Sequence, residues 1–272
     1  MELKPKSFLK KEYLIVIFIV LLLIIPKLSG FYFGMDLILV VLLVAALLLK
    51  DGKKFLLEWS IPVILFYLYE ILRGYSDNIA EYLGRPLIIE PIINLETHLF
   101  FFLSDVPTVV LQNLLHPQLG VIHWYDYLLA FVYSSFFWFW MAVGFVIWKK
   151  RHKYFRPYIF GLMVISFFSA LLFFIPFPTS PPWWASENGY LPQVERVMWV
   201  TLEGNSEVTL INAYGRNDFA AIPSLHFTWP FFASLMLVLA FPDKKYLKLI
   251  FIVPFLIAFA TWYGAEHYVV DS

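Results

Sequence analysis

The chain of 272 residues is 61% hydrophobic and only 15% charged, whereas a soluble domain carries about 25% charged residues. This composition excludes an ordinary soluble globular protein, and the formal net charge of +0 gives no reason to expect a nucleic-acid partner. The absence of cysteine excludes disulfides, thiolate chemistry and cysteine metal sites.

Seven long apolar stretches occur along the sequence. Each approaches the roughly 20 residues that cross the hydrocarbon core of a bilayer. They lie near residues 12–29, 31–49, 55–72, 127–148, 158–176, 223–241 and 249–266. The first follows four lysines but precedes no small-residue cleavage site, so we interpret it as a retained helix rather than a signal peptide. We therefore predict an all-α fold: a polytopic integral membrane helix bundle with seven transmembrane helices.

The sequence divides into an N-terminal transmembrane hairpin, residues 1–54, and a membrane core, residues 55–272. Two long polar segments interrupt this core. The segment 73–126 is predicted to be interfacial, and its part 95–115, which mixes apolar and ionisable residues, predicts one or two short amphipathic helices lying in the membrane interface. The segment 177–222 is predicted to be an outer loop, and its first eight residues are rich in proline and tryptophan.

The placement of lysine and arginine orients the predicted helices. With the N-terminus inside, the inside segments hold fifteen of the 20 basic residues and comprise residues 1–11, 50–54, 149–157 and 242–248. The outside keeps Lys27, Arg73, Arg85, Arg196 and Arg216. Cytoplasmic loops of membrane proteins carry such an excess of basic residues. We therefore predict a multi-pass protein of the cell membrane.

Three ionisable residues lie at the outer ends of the last two predicted helices. His226 belongs to the first turn of the sixth helix, where Ser224 suits the N-cap, and His267 and Asp271 follow the seventh helix. The alternation of helices brings all three to the same membrane face. If their segment is helical, the spacing of four puts His267 and Asp271 on one side, where the carboxylate can orient one ring nitrogen and leave the other free to attack.

The start of the sixth helix also offers unpaired backbone N–H groups, which form an anion site. A nucleophilic histidine, an orienting aspartate, a second histidine as acid and an anion site together predict phosphoryl transfer. We take His226, His267 and Asp271 as the candidate catalytic residues. The set requires neither a metal nor an organic cofactor, and the expected active site opens on the non-cytoplasmic face.

Two passages resemble motifs of a known family. Pro223-Ser-Leu-His226 and Tyr263-Gly-Ala-Glu-His-Tyr-Val-Val-Asp271 are similar to the second and third motifs of the type 2 phosphatidic acid phosphatase superfamily, and are closest to its inositol phosphorylceramide synthase-like (inositolphosphotransferase) branch. Residues 177–184 resemble the same branch. The resemblance implies that His267 is the nucleophile, that Asp271 orients it and that His226 protonates the leaving group. It also implies a further transmembrane helix after Ser272.

The chain departs from the superfamily in the residues that would bind phosphate. Ala260 and Thr261 occupy the positions where the third motif begins with Ser-Arg. A formal match to the first motif, from Lys149 to Arg156, falls on the inside face, about 30 Å from His226, and we reject it. The predicted substrate-binding residues are therefore residues of the outer face: Ser224, Arg216, Arg196, Pro182 and Trp183.

Other polar residues receive simpler interpretations. His98, His116 and His123 are interpreted as interfacial residues with solvated edges, because nothing spaces them as metal ligands. Glu266 could tune the site, but a carboxylate at a helix end is more often solvated.

The predicted function is an integral membrane lipid phosphotransferase or phosphatase that acts on a phospholipid or lipid phosphate through a histidine nucleophile. Water as the acceptor would give hydrolysis, and a polyol such as inositol would give transfer. One alternative is a non-catalytic lipid transporter or flippase with the same fold, which could dispense with the nucleophile. Another is a bis-histidine haem protein, although His226 and His267 lie at helix ends beside polar residues. The lipid bilayer is the expected partner in each case.

The charge distribution yields a direct test of topology. Because the chain has no cysteine, a single introduced cysteine is a unique label. In intact cells, an impermeant thiol reagent should modify Gly204→Cys and should not modify Gly52→Cys, since the first lies in the predicted outer loop and the second in an inside segment. Labelling of Gly52→Cys from outside would overturn the orientation, and with it the rejection of Lys149 and Arg156.

Overall fold

A computed structural model describes residues 35–202 and 217–272, and these two ranges are helical with no β-strand. The extended pairings among the described residues are two isolated bridges, Ile88 with Thr179 and Thr179 with Ala220. The all-α prediction is therefore confirmed. The chain divides into two compact units at Leu57, and the second unit, Glu58–Ser272, contains the candidate site.

The α-helices of the described ranges are α1 (Met35–Leu48), α2 (Gly52–Gly74), α3 (Ser76–Tyr82), α4 (Glu90–Leu99), α5 (Pro107–Leu115), α6 (Trp124–Lys150), α7 (Phe155–Ser169), α8 (Pro182–Glu187), α9 (Val197–Leu202), α10 (Leu225–Ala240) and α11 (Ile252–Tyr263). The 3-10 segments His152–Tyr154 and Lys245–Phe251 lead into α7 and α11. A π-helical segment, Ala170–Phe174, continues α7, and a 3-10 turn, Val269–Asp271, follows α11.

Four helical spans in the described ranges are long and apolar enough to cross a membrane: Gly52–Gly74, Trp124–Lys150, His152–Phe174 and Lys245–Tyr263. Leu39–Leu48 and Leu225–Ala240 are apolar but shorter. Six of the seven predicted stretches thus correspond to helices, while the first, residues 12–29, lies outside the described residues. The helices indicate a membrane protein, and the number seven stays a prediction.

The outer faces of these helices carry large apolar side chains. Ile61, Ile64 and Leu68 of α2 and Phe160 of α7 are all more than half exposed. A soluble protein rarely presents such a continuous apolar surface, whereas a helix facing lipid requires it. The exposed surface is therefore consistent with the membrane character of the sequence.

Aromatic rings fill the interior where α2, α6 and α10 meet. Trp229 of α10 lies at the centre, with ring centroids 5.6 Å from Phe66, 5.7 Å from Tyr69, 5.4 Å from Phe136 and 5.3 Å from Trp140. Pairs at such distances stabilise a fold by about 0.5–1.5 kcal/mol beyond the burial of area. This aromatic cluster fixes the three helices against one another one turn away from His226.

The basic segment after α6 lies at the other end of α10. The Nε atom of Arg151 donates to the carbonyl of Ala240, the last residue of α10, at 3.0 Å. At 1.5 Å per residue, this contact is about 20 Å from His226 in the first turn. The formal motif that runs from Lys149 to Arg156 is therefore remote from His226 in the structure as well.

Candidate active site

Two histidines and an aspartate meet where the first turn of α10 faces the turn that follows α11. The Nδ1 atom of His226 lies 3.1 Å from Nε2 of His267, and Nδ1 of His267 lies 3.2 Å from Oδ2 of Asp271. His267 and Asp271 are buried and His226 is half-buried. The structure thus brings the three predicted catalytic residues into one continuous array.

The turn that carries His267 differs from the predicted helix. The helix α11 ends at Tyr263, and Ala265 adopts a φ of 59°, a left-handed conformation that costs a non-glycine residue about 1–2 kcal/mol. The carbonyl of Ala265 accepts a hydrogen bond from the amide of Trp183 at 3.1 Å, which holds the turn. His267 and Asp271 consequently face each other across a 3-10 turn, and not along an α-helix as their spacing suggested.

The backbone orients Asp271 from two directions. Its Oδ2 atom accepts the amide of Tyr268 at 2.8 Å, and its carbonyl accepts the amide of Ser224 at 2.7 Å. Burial raises the pKa of Asp271, whereas the hydrogen bond and charge of His267 act in the opposite direction. A positive charge on His267 therefore favours the ionised carboxylate.

The ring of His226 is held between aromatic side chains of α6. Its centroid lies 4.3 Å from that of Phe136 and 5.1 Å from that of Tyr133, with the Tyr133 ring stacked at 22°. Such packing leaves the imidazole little rotational freedom, so it stays directed at His267.

Ser224 occupies the N-cap of α10, as predicted, but its side chain makes no capping hydrogen bond. Its Oγ atom is buried and has no hydrogen-bond partner among the described residues. A buried hydroxyl without a partner is costly, which leaves this oxygen available to a ligand.

Arg196 is already engaged by a carboxylate. Its Nε and Nη2 atoms donate to Glu266 at 2.6 Å and 2.9 Å, and its guanidinium lies over the rings of Trp183 and Trp199 at 4.3 Å and 4.4 Å. Burial alone would lower the pKa of Arg196, but the hydrogen bond and charge of Glu266 outweigh it and raise the pKa. The interpretation of Glu266 as a solvated carboxylate is therefore wrong, since it is a buried partner of Arg196 next to His267.

Of the other predicted substrate-binding residues, two lie at the start of α8. Pro182 and Trp183 begin α8 and are buried, and Trp183 packs in an apolar cluster with Ala265 and Tyr268. Trp183 thus supports the turn that carries His267. Arg216 lies outside the described residues.

Arg73, in the last turn of α2, is a basic residue near the site that the sequence analysis missed. Tyr69 and Trp229 are in ring contact, and Arg73 and His226 each lie about one turn further toward the same end of the bundle. The charge of Arg73 also acts on both His226 and Tyr133. A guanidinium therefore lies on the side of the site formed by α2.

Two signals in the sequence could have identified Arg73. The charge distribution already placed it at the outer end of a predicted helix. In addition, this chain lacks the arginine at the start of the third family motif, so another arginine was needed. Arg196 and Arg216 were predicted instead, because they are closer to the motifs in sequence. In the structure, the Nη2 atom of Arg73 donates to Glu70 at 2.9 Å.

One group among the described residues has the composition and spacing of a metal site, and it lies apart from the catalytic array: His116, His123 and Asp126. The interpretation of His116 as a residue with a solvated edge is wrong, because its side chain is fully buried. His98, in contrast, is exposed and contacts only the Asn94 carbonyl among the described polar groups, at 2.6 Å.

Glu96 of α4 holds the 3-10 turn Val269–Asp271 through two hydrogen bonds to its backbone. Its Oε1 atom accepts the amides of Val269 and Val270, the latter at 3.3 Å. The residue is fully buried, and burial raises its pKa to about 8 even though the two amides oppose this shift. The turn next to Asp271 therefore depends on a carboxyl group that titrates near neutral pH.

The chain matches a known protein family. A family model described as the PAP2 superfamily matches residues 93–272, which is more than half of the chain. No curated protein and no solved structure shows significant similarity to the chain. The matched range contains the catalytic array and Glu96, whereas Arg73 precedes it.

Glu96→Gln should stabilise the protein at alkaline pH and have little effect near pH 5. A glutamate ordinarily titrates at 4.5, so between that value and about 8 the folded chain binds a proton that the unfolded chain has lost. The stability of the natural chain therefore falls as pH rises through this window, whereas a glutamine avoids the loss and keeps an oxygen for both amides. Melting temperatures in detergent across this window measure the effect.

Glu90→Gln, an exposed substitution on the same helix, is the matched control. A difference between Glu96→Gln and the natural chain that does not change with pH would contradict the assignment of this titration to Glu96.

Proposed function

This chain belongs to the PAP2 superfamily, and on that premise we propose that it is an integral membrane enzyme that moves a phosphoryl group of a lipid phosphate or phospholipid through a phosphohistidine intermediate. Members of the superfamily generally hydrolyse or transfer phosphoryl groups. The observation that carries the proposal is the array of His226, His267 and Asp271, with contacts of 3.1 Å and 3.2 Å.

The array assigns a state to each ring nitrogen. An ionised Asp271 only accepts hydrogen bonds, so Nδ1 of His267 carries the proton and Nε2 carries the lone pair. Because Nε2 is then an acceptor, the proton between the two histidines belongs to Nδ1 of His226. His267 is thus prepared to act as a nucleophile, and His226 acts as an acid when its second ring nitrogen is also protonated.

Two balanced steps follow from these states. In the first, Nε2 of His267 forms a bond to phosphorus, the bond to the leaving oxygen breaks, and that oxygen takes a proton from the doubly protonated form of His226, which becomes neutral. In the second, His226 accepts a proton from the incoming water or alcohol, whose oxygen attacks phosphorus and releases His267. Asp271 stabilises the positive charge on His267 while the phosphoryl group is attached.

We assign the phosphate-binding cation to Arg73. A guanidinium binds phosphate oxygens through two parallel hydrogen bonds, and Arg73 lies on the α2 side of the array. The hydroxyl of Ser224 is a second candidate contact, because it is buried without a partner among the described residues. Arg216 stays a proposed contact of the outer loop.

Arg196 and Trp183 receive a positioning role in this proposal, and Pro182 stays a proposed substrate contact. Arg196 holds Glu266, the neighbour of His267, in a two-point contact, and the ring of Trp183 covers the Arg196 guanidinium. These contacts stabilise the turn that carries the nucleophile. They do not require contact with the substrate.

The acceptor and the location complete the proposal. The resemblance of the motifs to the inositolphosphotransferase branch favours transfer to a polyol such as inositol, with water as the alternative acceptor. The charge distribution favours the cell membrane, seven transmembrane helices, a hairpin at residues 1–54 and a catalytic core at residues 55–272, with the active site on the non-cytoplasmic face.

Turnover by the purified full chain tests the class of reaction. The protein in detergent is incubated with a panel of lipid phosphates and phosphoinositides, with and without inositol, while free phosphate and new lipids are followed. At least one donor should be consumed, and His267→Ala should abolish the reaction. If no donor is consumed and His267→Ala moves lipid between leaflets of a vesicle as well as the natural chain does, the protein is a transporter instead.

The two histidines should respond differently to the leaving group. His226→Ala should lower turnover of an alkyl phosphate ester by roughly 10²–10⁴-fold, because the leaving alkoxide needs a proton, and an aryl phosphate should restore part of the loss. His267→Ala should lose turnover of both donors. Asp271→Asn should cost orders of magnitude with both, because it removes the charge that stabilises a cationic imidazole. Equal losses in His226→Ala and His267→Ala with every donor would contradict these roles.

Arg73→Ala should lower kcat/KM by roughly 10–100-fold, since a charge-assisted hydrogen bond contributes about 1.5–3 kcal/mol. It should also weaken inhibition by inorganic phosphate, and Arg73→Lys should recover part of both effects because the charge is kept. Arg85→Ala, an exposed arginine of the same predicted face, is the control. If Arg73→Ala changes stability but leaves phosphate inhibition unchanged, the residue does not bind the phosphate.

A further inference from the structure

We propose that His116, His123 and Asp126 bind one Zn²⁺ ion at a second site, separate from the catalytic array. His116 follows the last residue of α5, His123 precedes α6, and Asp126 lies in the first turn of α6. The site does not depend on the proposed reaction, because it includes none of the residues assigned to that reaction.

The distances suit a small ion with three protein ligands. Oδ2 of Asp126 lies 3.4 Å from Nδ1 of His123 and 3.9 Å from Nδ1 of His116, and the three ligand atoms all lie within 4.8 Å of one another. Bonds of about 2.0–2.1 Å in a tetrahedral arrangement place two ligand atoms roughly 3.4 Å apart. The pair formed by Asp126 and His123, at 3.4 Å, already has this separation.

The two nitrogens lack any other partner. Nδ1 of His116 and Nδ1 of His123 are both buried and have no hydrogen-bond partner among the described residues. A buried polar atom left in this state is costly, and two such atoms beside the same carboxylate are rare in a native structure. A cation placed between them and Oδ2 of Asp126, which also accepts the amide of His123 at 2.6 Å, would give both nitrogens a partner.

The partner of the second ring nitrogen fixes the state of His116. Its Nε2 atom is hydrogen-bonded to Oε2 of Glu195, which also accepts the amide of Gly120 at 2.8 Å. An ionised carboxylate only accepts, so Nε2 carries the proton and Nδ1 presents a lone pair toward Asp126. A carboxylate behind a histidine in this way is the usual outer partner of a zinc-ligating imidazole.

A proton on Nδ1 of His116, in place of a metal ion, does not provide this nitrogen with a partner. If His116 were doubly protonated, its Nδ1–H would lie 3.9 Å from the carboxylate oxygen of Asp126, beyond hydrogen-bond distance. The ligand set also selects the kind of ion. Two imidazole nitrogens with one carboxylate suit Zn²⁺, whereas Mg²⁺ and Ca²⁺ prefer sets composed of oxygen. A water molecule would complete the tetrahedron.

The ion would join segments that are distant in sequence. Oδ1 of Asp126 accepts the hydroxyl of Tyr263, the last residue of α11, at 2.5 Å. Glu195, which holds His116, precedes Arg196. A metal at this point would therefore fasten α5 and α6 to the end of α11 and to the segment that bears Arg196. Such an ion would stabilise this end of the bundle.

Metal analysis of the full chain tests the proposal. The protein is produced with zinc in the medium, carries an affinity tag without histidine, and is purified in detergent. Elemental analysis should find about one Zn²⁺ per chain, and His116→Ala and His123→Ala should each reduce this to near zero. His98→Ala, an exposed histidine outside the cluster, should keep the full content.

A second measurement covers the case in which a variant does not fold. After the natural chain is stripped with a chelator, added Zn²⁺ should raise its melting temperature by a few degrees, about 3 °C or more, and Mg²⁺ should not. The same addition should leave folded His123→Ala unchanged. A natural chain that holds no zinc and shows no shift with Zn²⁺ would overturn the proposal, as would an equal shift with Mg²⁺.

Discussion

A backbone hydrogen bond, from the amide of Ser224 to the carbonyl of Asp271, joins the first turn of α10 to the turn after α11. It connects the two passages that carry the histidines, which are forty-one residues apart in sequence. It sets the distance between His226 and His267, because neither α10 nor α11 alone fixes this distance. The contacts of Glu96 and of Arg196 add to this link, because each holds one side of the same turn.

Most of the helical architecture could be predicted from the sequence, because a long apolar run indicates a membrane helix. The ends of the helices could not. The predicted stretch 249–266 ends in the structure at Tyr263, because Gly264 is the C-cap of α11 and Ala265, the next residue, adopts a left-handed backbone conformation. The stretch 95–115 was predicted as one or two helices, and in the structure it covers the end of α4, which begins earlier at Glu90, and the whole of α5.

The site could be predicted only as far as its motifs extend. His226, His267 and Asp271 were identified because their spacing carries chemical meaning on its own. Residues with distant partners were missed. Arg73 is about 150 residues from His226, and the burial of His116 depends on Glu195, which is 79 residues away. Neither pairing has a local pattern, because it arises from the packing of helices rather than from the periodicity of one segment.

The left-handed backbone at Ala265 has a consequence for how the site is preorganised. A strained conformation persists only where surrounding contacts over-determine it, and here the amide of Trp183 and the closely packed Met198 beside Gly264 do so. The cost of placing the ring of His267 is therefore met when the chain folds. A phosphate that arrives at such a site meets groups already in position, and little reorganisation remains to slow the chemical step.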